Sequence, residues 1–137
     1  MADAAAIHAD AVVIDGLQCC DFDRALMEEA LRGGVTAINH AAILWENFRD
    51  GIDRMTEWNR LFDANADIVT PVRTVADIHA AKAAGKLGII MGWQNTSPLE
   101  DRLDYIPIFK ALGIGVMQLT YNTQNFAGAG YLEDKDS

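Results

Sequence analysis

Polar side chains able to do chemistry gather where apolar runs of this chain end. The segments are Asp15-Gly16-Leu17-Gln18-Cys19, Asn39-His40, Gln94-Asn95 and Tyr121-Asn122, with Gln124 and Asn125 close behind. Gln94, Asn95 and Asn122 carry neutral amides that both donate and accept hydrogen bonds. Tyr121 adds a phenol, and Cys19 a thiol that becomes a nucleophile or soft ligand only as thiolate. His40 could act as an acid, a base or a ligand. Amides, a thiol and a phenol recognise a small polar ligand by hydrogen bonding and need no cation to do so. Cys19 and Cys20 are adjacent, so a bridge between them would be strained, and their spacing matches no zinc-finger pattern.

The elements that must position these groups alternate between strand and helix. A short amphipathic helix is expected at 4–9 and a buried strand at 11–15. Asp23 caps a helix at 24–32 that Gly33-Gly34 stops. The β-branched run 35–40 reads as the second strand. Ile52, Met55, Trp58, Leu61 and Phe62 recur at helical spacing within a helix at 48–64. Ile68-Val69 is a short extended piece stopped by Pro71, and Thr74 or Asp77 starts a helix at 75–84 ended by Gly85. The apolar run 87–93 reads as a buried strand leading to Gln94. A polar loop at 95–100 precedes a helix at 102–112 with a kink at Pro107, and a strand is expected at 116–120. Residues 121–137 read as a polar, glycine-containing loop.

About four such strand-helix units imply an α/β fold with a parallel sheet and helices outside it. The pattern fits a doubly wound open sheet or part of a (β/α)8 barrel. Gly16-Leu17-Gln18-Cys19-Cys20 is no dinucleotide-binding turn, and neither a Walker loop nor a Gly-x-Ser-x-Gly elbow is present.

The 137 residues are enough for one ordinary domain, and half of them are hydrophobic. Eleven basic and twenty acidic residues give a net charge of -9. That balance excludes the basic face needed for nucleic acid or anionic membrane. No cationic stretch precedes an apolar one near the start, and no apolar run reaches the roughly 18 residues of a membrane span. A cytoplasmic location is expected.

Four segments closely resemble the membrane dipeptidase (renal dipeptidase) family of metallopeptidases. They are the run from His8 through Asp10 to Gly16, Leu31-Arg32-Gly33-Gly34-Val35-Thr36-Ala37, Gly88-Ile89-Ile90-Met91-Gly92-Trp93-Gln94, and the run from Leu112 to Asn122. The resemblance implies a (β/α)8 TIM barrel of which 1–137 is the N-terminal half, a partial domain incomplete without a C-terminal half. It also implies zinc, held as two ions that activate water against the amide of a dipeptide or small amide. Family ligand positions fall on Leu17, Cys19 and Gln94, where an imidazole, a carboxylate and a bridging glutamate are expected. The substrate-contacting histidine falls on Tyr121. The remaining histidine ligands are expected beyond this chain. The matched ligand positions are therefore substituted, and a divergent pocket follows, or a relative that binds ligand with the two-zinc site lost. No catalytic residue is assigned. Gln94, Asn95, Tyr121, Asn122, Cys19 and His40 are the pocket candidates, and this half alone is expected to be inactive.

Each candidate has a structural alternative. Gln94 could serve the barrel rim by hydrogen bonding, Cys19 and Cys20 could be small hydrophobes, and Tyr121 a packed phenol. A satisfied structural role is the expectation for His40, and Asp15 is expected to support the first loop. Trp45, Trp58 and Trp93 read as core anchors. The partners expected are a dipeptide-like small molecule and either the missing half-barrel or a second copy of the chain.

Overall fold

The computed structural model describes residues 3–135. The chain runs α1 (Ala4–Asp10), β1 (Ile14–Gln18), α2 (Arg24–Arg32), β2 (Ala37–Ile43), α3 (Phe48–Ala64), β3 (Val69–Pro71), α4 (Val75–Ala84), β4 (Leu87–Trp93), α5 (Ile106–Leu112) and β5 (Ile114–Met117). All strand pairs are parallel. Side-chain caps start most of the helices. Asp23 accepts from Leu26 N, Asn47 from Asp50 N, and Thr74 and Asp77 form a reciprocal capping box.

β4 organises the sheet. β2 pairs along one edge of it, from Ala37 opposite Gly88 to Ile43 opposite Trp93. The other edge is shared: β3 lies beside Leu87 to Ile89, and β5 beside Met91 to Trp93. β3 is thus a short accessory strand, and the main strands follow in chain order, β1-β2-β4-β5.

Alternate residues of β2 and β4 separate two environments. Ile38, Ala42, Leu87, Ile89, Met91 and Trp93 pack with Met27, Met55, Trp58 and Phe109 from the helices in one core. On the opposite face, Gly88 faces Ala37 and Gly92 faces Asn39. Among the described residues the helix side chains of the apolar core gather in that one cluster, whereas a doubly wound sheet needs helices on both faces. Sequential parallel strands with helices on one side are the arrangement of half a (β/α)8 barrel.

Several element boundaries differ from expectation. The first strand occupies 14–18, displaced from 11–15, because its pairing begins at Val13, whose carbonyl accepts from Thr36 N and Ala37 N. It is an edge strand with Ile14 48 % exposed, so burial does not mark its ends. The second strand continues past His40 through Ala41-Ala42-Ile43, since β4 offers ladder partners along that whole length. The last strand begins at Ile114, directly after Gly113, whose φ of 114° turns the chain out of α5 without a loop. Pro107 does not kink a long helix. Two 3-10 turns, Ser97–Leu99 and Leu103–Tyr105, occupy the preceding stretch, and Pro107 sits in the first turn of α5, where no amide hydrogen is required. Among the described residues no helix is long and apolar enough to cross a membrane.

Candidate functional site

The carboxyl ends of β2 and β4 and the chain after β5 meet around the segment 94–96. Gln94 N donates to Ile43 O at 3.0 Å, tying the end of β4 to that of β2. Thr96 donates from N and Oγ1 to Leu119 O, at 3.1 and 2.9 Å, tying it to the chain after β5. Gln94 is buried. Among the described residues its side-chain amide has no hydrogen-bond partner within the chain.

Asn95 is spent on structure. Its Nδ2 donates to Leu44 O, and its Oδ1 accepts from Ser97 N at 2.6 Å, starting the 3-10 turn. Both ends of this pocket candidate therefore hold backbone. His40, the second strand's expected end, lies in mid-strand on the helix side. Its ring packs 5.8 Å from that of Phe22 and 4.5 Å from that of Trp58. Burial first, and the Arg54 charge second, lower its pKa to about 4. The neutral imidazole lies in the helix layer away from the pocket, and its buried Nδ1 has no partner among the described residues, so it is packed but not satisfied as expected.

The residue that does face inward is its neighbour Asn39. Its Nδ2 donates to Gly16 O at 2.9 Å, and its buried Oδ1 has no partner among the described residues. A Cβ on Gly92 would lie 2.5 Å from that oxygen, so the glycine admits the asparagine. Strand alternation, once the strand is extended to Ile43, is the signal that distinguishes Asn39 from His40.

Around β1, Asp15 Oδ1 accepts from Leu17 N at 3.1 Å, and Gln18 Oε1 accepts from Cys20 N at 2.8 Å. Cys19 and Cys20 are exposed free thiols rather than buried hydrophobes. Leu17 is 49 % exposed. Of the two acids nearby, Asp23 caps α2. At the end of β2, Glu46 Oε2 accepts from Leu44 N and Trp45 N at 2.6 and 2.8 Å, with Arg54 3.6 Å from its Oε1. Trp45 is not a core anchor, unlike the buried Trp58 and Trp93; it stands at the rim and stacks on Tyr121.

The chain after β5 folds back on itself. Tyr131 N donates to Tyr121 O at 2.6 Å and Leu132 N to Asn122 O at 2.9 Å. Asn125 Nδ2 joins the donors on Leu119 O, and Gln124 N donates to Glu133 Oε1. Beside this loop, Thr96, Leu99, Glu100, Asp101, Leu103, Phe126 and Ala127 line a groove of about 300 Å³.

The donor chemistry of these strand ends bears directly on metal. Leu17 has no donor, Cys19 offers one thiol, and Gln94 offers a neutral amide. Among the described residues no group of three His, Cys, Asp or Glu side chains is placed to hold a metal ion. Of the groups at these strand ends, the indole of Trp45 and the phenol of Tyr121 are in contact.

A family model for membrane dipeptidase (peptidase family M19) matches residues 17–137. Among solved structures, an amidohydrolase from Pseudomonas aeruginosa is 44% identical with a TM-score of 0.93; the match covers 97% of this chain and 41% of the amidohydrolase. The probable dipeptidase PvdM from the same organism is 17% identical with a TM-score of 0.75, covering 88% of this chain and 37% of PvdM. The second likeness shows the fold alone. The chain thus spans about two fifths of the length of these proteins. No curated protein matches it.

Proposed function

The chain belongs to the membrane dipeptidase family, peptidase family M19, and on that premise we propose that it forms part of a hydrolase for a dipeptide or small amide. The family match along 17–137 carries this reading. The meeting of three strand ends on 94–96 supports the place, since βα barrels do their chemistry at that face. Residues 1–137 are proposed as a partial barrel domain that a second half-barrel completes. The exposed Ile14 and Val116 on the outer strands support that. In this reading the segment supplies pocket wall. Gln94, Tyr121, Asn122 and Cys19 face substrate, while Asn95 fixes the backbone that carries Gln94.

Zinc is the family's implied cofactor, and the substituted ligand positions do not fit a dinuclear site. An aliphatic side chain cannot ligate, an amide does not neutralise cations, and a lone thiolate is a soft ligand among hard ones. That mismatch favours a second reading, a relative that binds a small polar ligand without hydrolysis. A cytoplasmic location and the exclusion of nucleic acid belong to the proposal, the latter supported by the charge of -9.

The test uses the full-length protein. Release of amino acids from a panel of dipeptides is followed by chromatography, and zinc is counted by mass spectrometry. Turnover with fewer than two zinc ions per barrel is the expected result. Dipeptide binding without turnover would replace hydrolysis by the second reading, and two tightly held zinc ions would overturn the substituted-site argument. Gln94→Glu alone should not raise turnover, because Leu17 still offers no donor.

A further inference from the structure

Trp45 and Tyr121 leave two different loops and meet. Trp45 follows β2, and Tyr121 follows β5. β2 and β5 lie on opposite edges of β4. A contact between their ends therefore spans the end of β4, where Gln94 sits. The rings stack with centroids 5.3 Å apart and planes 24° apart. Both remain open, Trp45 at 50 % and Tyr121 at 40 % exposure. Neither joins the apolar core that holds Trp58 and Trp93.

The pair is fixed from beneath. Glu46 holds the backbone of Trp45, and the neighbouring Leu44 O accepts from Asn95. Leu119 O accepts from Thr96 and Asn125, and Tyr121 O accepts from Tyr131 N. Rigid, half-exposed aromatic faces beside an uncharged hydrogen-bonding group bind planar apolar groups at little entropic cost. Among the described residues no metal-holding group lies here, and the nearby Glu46 carboxylate is already engaged by Leu44 N, Trp45 N and Arg54.

We propose that Trp45 and Tyr121 form an aromatic platform that selects a substrate with a planar or aromatic side chain, placing its amide over Gln94. This rests on the reading of the strand ends as the substrate site, and it names the substrate class of that site. Trp45 is the specificity residue: Tyr121 orients its ring, and the ring's free face takes the ligand.

Reduced-amide analogues of Gly-Phe and Gly-Ala, which cannot be hydrolysed, separate binding from turnover. Their affinities are measured by calorimetry on the full-length protein. The Gly-Phe analogue should bind roughly five- to tenfold tighter than the Gly-Ala analogue, the scale of one aromatic stack. Trp45→Ala should remove that difference and leave the Gly-Ala analogue within about twofold, again less than one stack. Trp45→Phe should retain most of the preference. Equal wild-type affinities, or equal weakening of both analogues by Trp45→Ala, would overturn the platform while leaving the site in place. Failure of both analogues to bind would overturn the site itself and the platform with it.

Discussion

Replacing Gly92 by alanine tests the inner face of the sheet directly. The added Cβ would stand 2.5 Å from Asn39 Oδ1 and 3.4 Å from His40 O. The second contact is tolerable; the first is not, so Asn39 must turn away. Turning breaks its 2.9 Å bond to Gly16 O, which links β2 to the edge strand β1. Loss of one such bond costs about 1 kcal/mol. Crowding in a packed strand pair adds about 1–3 kcal/mol, and the entropy gained by replacing glycine returns about 0.5–1 kcal/mol. The net expectation is destabilisation by about 2 kcal/mol, read as a lower urea midpoint of the full-length protein with unchanged slope. Asn39→Ala alone should cost about 1 kcal/mol. With both replaced, the methyl group fills space the amide has left. The double variant should then be more stable than the sum of the single effects by about 1 kcal/mol or more, the coupling typical of residues in contact. Simple additivity, or a Gly92→Ala protein as stable as the parent, would refute the placement of Asn39 against β4.

Three further outcomes follow from the same structure. His40, with its pKa lowered to about 4 against an ordinary 6.5, binds its proton more readily in the unfolded chain. Its contribution is therefore full above pH 6.5 and is lost as pH falls toward 4, by about 2–3 kcal/mol; His40→Leu should flatten urea midpoints across that window. Asn95→Ala strips partners from Leu44 O and Ser97 N and should destabilise by about 2 kcal/mol, with the larger part recovered by no single second-site change at Gln94. Residues 1–137 produced alone should self-associate through the exposed edges of β1 and β5, so a monodisperse monomer in light scattering would contradict the half-barrel reading.

Sequence pattern located the helices better than the strands, for a physical reason. α2, α3 and α4 start on side-chain caps and end on Gly33, Asn65 and Gly85, so their limits are written in local chemistry. Strand limits depend on which neighbour is available. β4, flanked on both edges, spans the apolar run that announces it, Leu87–Trp93. β1 has one neighbour and slides to where Thr36 and Ala37 can reach Val13. β2 runs on through two alanines, residues with little strand preference, because β4 continues beside them. The accessory strand β3 owes its place to the short length of β5, which leaves half an edge of β4 free.

That dependence decided which site residues could be read. A strand ending at His40 puts its imidazole at a rim; three more residues of strand place it in the helix layer and bring Asn39 inward. Asn95 looks like a ligand-facing amide until the partners of its two ends are known. Trp45 carries no local sign of its position, and only its contact with Tyr121, 76 residues on by number, puts it over the end of β4. Gln94 keeps its meaning from both directions. The strand that carries it has three neighbours in the sheet. In the proposed reading the change at Gln94 goes with those at Leu17 and Cys19, since no group of three metal-ligating side chains is found among the described residues and reverting one position would not create one.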